Sequence, residues 1–270
     1  MIVMKRNIVN IFLIFIFSHL IIWTIVPTIT NKNLPLDIIE ALAWGSNLDW
    51  GFNKHPPLVA FVLYIFYFSF GNQDWVYYFL SQIFILVSFF VVFKFADEFL
   101  NSKILAFLSV LLLEGFFFYN FTSPEFNVNV SQLPFWALSV YFFWKGLNLN
   151  KNKDWILFGV FSAAGFLSKY LFIYILIALL IFFTINFKKY KKSLKGYIFS
   201  ILISLILLIP HFVWLFENNF ITIFYGLDRS GVSEFNFVNH FKNPLIFLSK
   251  QLFILIPFLL MIYVILKKLK

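Results

Sequence analysis

The sequence predicts an all-α fold. It is a polytopic transmembrane helix bundle of about eight crossings, with a surface-lying juxtamembrane helix after the first external loop, forming a single domain over residues 1–270. Three observations carry this expectation. Apolar residues make up 61% of the chain and charged residues 12%, against about 45–50% and about 25% in soluble domains. A packed globule could not hide that much hydrocarbon, so lipid must be its solvent. The apolar runs are also long and rich in Leu, Ile and Phe, without the alternation of strands. Finally, lysines collect in short clusters between those runs, as they do in cytoplasmic loops.

Taken in order, Lys5 and Arg6 precede an apolar run over 8–28 that no small-x-small cleavage pattern follows, so it reads as a retained signal anchor. Residues 57–70 would give a helix of only about 21 Å against a hydrocarbon core of about 30 Å. Pro56–Pro57 opens it, and it is expected to lie along the surface. The runs 75–96, 103–120 and 132–147 each predict one crossing. Residues 155–187 are too long for one ordinary crossing and are interrupted by Lys169. They predict two short helices meeting near an interface where that lysine can snorkel. The runs 196–216 and 246–267 complete the set, with no internal repeat, soluble domain or flexible linker.

This threading puts Lys5/Arg6, the segment Lys145 to Lys153, "KKYKKSLK" at 188–195 and the terminal "KKLK" on one side. If 57–70 spanned and 155–187 crossed once, the Lys145–Lys153 loop would fall outside. The preferred count gathers the loops 29–56, 121–131 and 217–245, Lys169 and the end of the helix carrying His211 at the opposite face. The net charge of +9 is thereby explained by topology, and no nucleic-acid partner is expected. The absence of cysteine excludes a disulfide framework and a cysteine-ligated metal.

Ionisable groups concentrate in "DIIEALAWGSNLDWGFNKHPPL", residues 37–58. Asp37 and Glu40 stand at i and i+3, on one face of a helical turn. Two such carboxylates suit general-base work on a hydroxyl, or binding of a divalent cation with further ligands; a solvated acidic turn has the same spacing. His55 can donate to a phosphate or polarise a sugar hydroxyl, or simply sit at the interface. Glu125, Asn127 and Asn129, in "TSPEFNVNVSQLPFW", can hydrogen-bond sugar hydroxyls or complete a metal site. Lys169, in "GFLSKYLF", suits an anionic lipid phosphate, with plain snorkelling as the alternative. His211, in "IPHFVW", and Arg229, in "YGLDRSG", could add positive charge near the same surface. Glu114 stands isolated within a span, and His19 and His240 receive no role. There is no phosphate-binding glycine loop, dinucleotide fingerprint or H-E-x-x-H, and no cytosolic domain to hold a sugar nucleotide, which favours a donor already residing in the bilayer.

At "LPLDIIEALAWGSNLDWGFNKHPPLVAF" the sequence resembles the lipid-linked-sugar glycosyltransferases of the GT-C superfamily. The likeness is to the family 39-like group that includes protein O-mannosyltransferases and the lipid A aminoarabinose transferase. "SPEFNVNVSQLPFWAL", "GFLSKY" and "PHFVW" follow in the order of that group, so the resemblance extends over roughly residues 30–230. It implies inverting transfer from a polyprenyl-phosphate sugar, with Asp37 deprotonating the acceptor hydroxyl and Glu40 as its companion. Lys169 and Arg229 would hold the donor phosphate. The chain differs from the group in having Ile38, not a second acid, after Asp37, and in being shorter, as a short or C-terminally truncated member would be.

The expected function is a glycosyltransferase of the bacterial inner membrane, working at the periplasmic face. It would take a polyprenyl-phosphate-linked sugar as donor and a lipid, polysaccharide or protein as acceptor, with no cofactor certain and the transfer either assisted by a divalent cation or independent of metal. The alternatives are a lipid transporter or flippase, and a non-catalytic membrane protein that binds lipid-linked sugars.

Overall fold

A computed structural model describes residues 2–229 and 237–269. Side chains of Lys5, Arg6, Lys268 and Lys270, and residues 230–236 of the loop expected over 217–245, lie outside the described residues. All regular structure among the described residues is helical. The helices are α1 (Ile2–Thr30), α2 (Leu36–Gly45), α3 (Leu58–Phe70), α4 (Asp74–Leu100), α5 (Lys103–Leu113) and α6 (Val128–Leu149), followed by α7 (Asn152–Ser168), α8 (Ile173–Ile185), α9 (Phe187–Tyr190), α10 (Leu194–Glu217), α11 (Ile221–Arg229) and α12 (Phe237–Leu269). Four segments are long and apolar enough to cross a membrane: Asn7–Thr30, Asp74–Leu100, Phe187–Glu217 and Val238–Lys267. The other apolar runs form shorter helices or, in α6 and α7, helices with more polar faces.

Two cores organise the bundle. Phe12, Ile16, Ile38, Leu63, Ile85, Phe89 and Val110 join α1 through α5, with Phe126 completing the cluster. Phe143, Trp155, Phe158, Phe183 and Tyr197 join α6, α7, α8 and α10. Small residues let the second set approach closely, as helices do where lipid supplies no hydrophobic drive. The Ser204 hydroxyl donates to the Gly159 carbonyl at 2.8 Å, and a Cβ on Gly159 would stand 2.6 Å from the Ser200 carbonyl oxygen. Fully buried Trp155 is sandwiched between Gly146 and Gly196. Helix α12 presents its apolar surface outward and touches α5 where Gly115 meets the Phe258 backbone.

Two apolar runs are interrupted, one before its predicted end and one where the sequence places the break, and each interruption has polar partners waiting. The run 103–120 is α-helical only to Leu113; the chain from Glu114 to Asn127 continues through the bundle largely as turns. Glu114 is not isolated: His19 Nε2 lies 3.2 Å from its Oε1 and 2.9 Å from the Tyr119 carbonyl oxygen. Asn120 donates to the Glu114 carbonyl at 2.8 Å, the Ser123 hydroxyl to the Asn120 carbonyl at 2.7 Å, and Gln82 to the Ser123 hydroxyl at 3.0 Å. Ser81 donates to the Ser123 carbonyl. Non-helical backbone at membrane depth needs such partners. The second break is at Lys169, where the chain leaves α7 in extended conformation (φ −161°) and re-enters through a 3₁₀ turn at Tyr170–Phe172. Ser168 and Ser131, both fully buried, are 3.1 Å apart through their hydroxyls. Phe172 folds back onto Gly165, where a Cβ would meet its ring at 2.3 Å. This division of 155–187 at Lys169 agrees with the sequence reading.

The helix directions leave the bundle with two chemically different ends. The end of α7, the start of α6 and the residues after α10 share one end with α2; the α6–α7 turn and the C-terminal part of α4 share the other. Asn101 and Asn150, at φ +52° and +50°, close the α4–α5 and α6–α7 turns. This left-handed conformation is one that asparagine tolerates better than most residues.

Gly196→Leu should overpack the Trp155 contact and cost about 1–3 kcal/mol. It should visibly lower the apparent melting temperature of the detergent-solubilised protein. Gly226→Ala, at a glycine with open space around it, should not lower it.

Candidate functional site

At the end of the bundle where its two halves meet, a cavity of about 740 Å³ opens, lined by Asp37, Glu40, Lys54 and His55 from α2 and the loop after it, and by Asn129, Lys169, Tyr170, Tyr225 and Arg229 from the second half. Asp37 and Lys169, expected from helix counting to share a membrane face, line the same cavity. Both carboxylates come from α2, a ten-residue helix opened by Pro35. The i, i+3 spacing puts them on its cavity face, while Ile38 and Ala41 on the adjoining face are fully buried.

Lys54 donates to Glu40 Oε1, and that bond is the leading reason its pKa is raised. Both partners are about one-third exposed, so solvent screens the pair and it orients Glu40 without locking it. His55 faces the same space. Burial lowers its pKa against the opposing pull of Asp37, so at neutral pH it is a hydrogen-bonding imidazole, not a cation. Across the cavity, Lys169 Nζ donates to Asn129 Oδ1 at 2.5 Å. Burial lowers the lysine's pKa, and the Asp37 charge works against that effect. Arg229, exposed at the end of α11, supplies the remaining positive charge.

Three sequence candidates do not line the main cavity. Asn127 spends its side-chain oxygen capping α6, accepting from the Asn129 and Val130 amides at 2.9 and 3.2 Å. It touches only a small space behind Asp37 and His55. Glu125 sits behind α2, facing the Asp37 backbone N–H. Burial first, and then the Asp37 charge, raise its pKa, while that N–H opposes them. His211 is fully buried, with Nε2 2.8 Å from the Tyr170 hydroxyl and Nδ1 2.5 Å from the Trp50 carbonyl oxygen. It braces the loop after α2 against α10, and the Thr222 hydroxyl donates to the Phe52 carbonyl at 2.6 Å beside it. Gly51 is required there, because a Cβ would enter the Trp214 ring at 2.3 Å.

Sequence reasoning gave no role to Lys54, Tyr170, Thr222 or Tyr225. Lys54 carried a signal, standing beside His55 in the most charged loop. The others are ordinary residues whose position only the packing reveals. For a divalent cation the residues fit poorly. Among the described residues no group of three or more His, Cys, Asp or Glu could hold a metal, and Glu40 is taken by Lys54.

Residues 54–214, well over half of the chain, match the family described as dolichyl-phosphate-mannose-protein mannosyltransferase. The chain belongs to that family. It is therefore a membrane glycosyltransferase of the GT-C kind. The matched segment contains Lys54, His55, Glu125, Asn129, Lys169 and His211; Asp37, Glu40 and Arg229 lie outside it. No curated protein and no solved structure matches the chain.

The raised pKa of Glu125 makes a signed prediction. A carboxyl whose folded pKa lies above its unfolded value stabilises the fold at low pH, and that contribution is lost as pH rises from about 4.5 through the folded value. Glu125→Gln should therefore melt higher than the wild type at pH 8 and converge with it near pH 4.5, read as melting temperature across that range.

Proposed function

We propose that the protein transfers a sugar from a polyprenyl-phosphate donor to a hydroxyl of a lipid, glycan or protein acceptor at the extracytoplasmic face of a bacterial inner membrane. The observation that carries this reading is the charge that lines the 740 Å³ cavity: the carboxylates of Asp37 and Glu40 from α2 together with the cations Lys169 and Arg229 from the second half. Membership of a family described by a lipid-phosphate-linked mannose donor supports a donor of that chemistry.

In this reaction Asp37 takes the proton of the acceptor hydroxyl. The acceptor oxygen then bonds to the anomeric carbon from the side opposite the phosphate. The bond from that carbon to the phosphate oxygen breaks, its electron pair leaves with the phosphate, and the configuration inverts. Negative charge therefore leaves the acceptor side and grows on the leaving phosphate, which calls for a base at one wall and cations at the other. Lys169 holds the phosphate with Asn129 aligning its ammonium, and Arg229 adds a forked donor. Glu40, held by Lys54, keeps the base side negative, while His55 and Tyr225 offer hydrogen bonds to sugar hydroxyls. No step is routed through a metal.

The same reading gives α3 a surface position and threads the chain through about eight crossings, with every described lysine cluster at the far side. Periplasm-active reporters fused at residues 45, 126 and 228 should be active and those at 150 and 192 inactive; activity at 150 would overturn the threading.

With the purified protein and a panel of polyprenyl-phosphate sugars, Asp37→Ala should lower turnover by about 10²–10⁴-fold while donor binding persists. Lys169→Met should weaken donor binding itself. Unchanged turnover in Asp37→Ala removes the catalytic assignment, and binding without turnover in the wild type would favour a non-catalytic binder.

A further inference from the structure

The end of the bundle opposite the sugar-transfer cavity carries a second pocket, which the proposed reaction does not use. It measures about 290 Å³ and lies among the C-terminal part of α4, α6 and the first turn of α7. Lys94, Lys145, Lys151 and Lys153 surround it, over a floor that includes Tyr141 and Asp154. Lys94 stands twenty residues along α4 from Asp74. That is about 30 Å of helix, the thickness of the hydrocarbon core, so the pocket opens at headgroup depth.

The tendency of lysines to collect in cytoplasmic loops accounts for how many there are, not for their convergence on a concavity. Lys188, Lys189, Lys191 and Lys192 are equally numerous at this end, and none of them lines the pocket. The convergence has structural causes. Tyr141, nearly fully buried, holds the Lys94 and Lys145 ammoniums at 5.7 and 5.2 Å from its ring centroid, within cation–π range. Its hydroxyl donates to Glu98 at 2.7 Å and accepts from Lys145 at 3.4 Å. Lys151 occupies the cap position of α7 without a side-chain cap, so the first amides of that helix add to the positive field. Asp154 is the counterpoint. It is 95% buried, and its Oδ2 has no hydrogen-bond partner. An unpartnered buried carboxylate oxygen is costly and asks for a donor from whatever occupies the pocket.

From this we infer a binding site for a phosphate-bearing ligand that also carries hydroxyl donors, the chemistry of a phosphatidylglycerol headgroup. The phosphate meets the four lysines, and a glycerol hydroxyl donates to Asp154. With four lysines against Asp154 at the wall, and Glu98 engaged by Tyr141, the lining keeps an excess of positive charge that selects a net anion over a zwitterion.

The test uses the full chain in an uncharged detergent and calorimetric titration with dioctanoyl phosphatidylglycerol, dioctanoyl phosphatidylcholine and inorganic phosphate. Saturable binding of phosphatidylglycerol alone is expected. The double variant Lys94→Gln/Lys145→Gln should weaken it about tenfold or more, and Lys188→Gln/Lys189→Gln less than about twofold. Asp154→Asn, folding checked by melting temperature, should weaken phosphatidylglycerol binding but not any binding of inorganic phosphate. Saturable binding of inorganic phosphate with the same lysine dependence would make a free anion the ligand and overturn the headgroup. Equal losses in the two lysine pairs, or no saturable binding at all, would reduce the pocket to diffuse surface charge.

Discussion

Backbone amides and carbonyls that leave a helix within a packed bundle must find partners in the protein, and this bundle is arranged around the two places where they do so. From Glu114 to Asn127 the chain descends as turns through the packed first half. His19, Asn120, Ser123, Gln82 and Ser81 form a continuous polar seam that receives it. At Lys169 the chain breaks between α7 and α8, with the Ser131–Ser168 contact and the Phe172–Gly165 packing holding the break in place. The antiparallel pair α6 and α7 brings Asn129 and Lys169 together, and the break at Lys169 keeps that lysine at one rim of the bundle.

Those breaks decide the electrostatics of the cavity. Lys169 is half-buried because it sits at a helix interruption and not on a lipid-facing surface, and that burial lowers its pKa while Asp37 draws it back. The acidic wall is made differently. Helix α2 packs its apolar face into the first core and turns two carboxylates outward. The loop after it is pinned to the second half by His211, Thr222 and Trp214. Buried His211 therefore matters as a brace, tying the loop that carries Lys54 and His55 to the helix that ends beside α11.

The two ends of the bundle repeat one principle with different means. Each gathers ammoniums around a concavity, but at the site end they face carboxylates and at the far end they dominate. A single α4 helix, about one membrane thickness long, separates the two fields, so what binds at one end meets little charge from the other.

Much of this was legible in the sequence because bilayer insertion is a matter of run length and charge placement. Helical class, the short run 57–70, the division at Lys169 and the shared cavity of Asp37, Glu40, His55, Asn129, Lys169 and Arg229 follow from those two quantities and from family likeness. The chain alone did not reveal that Glu114 is paired with His19, that Asn127 is consumed as a helix cap, that His211 faces inward, or that Lys54 orients Glu40. Apart from the local Asn127 cap, each of these depends on which side chains meet across 14 to 161 positions of sequence. Hydropathy and spacing determine which segments enter the membrane; only the packing of one helix against another determines which polar groups are spent on the fold and which remain free to act.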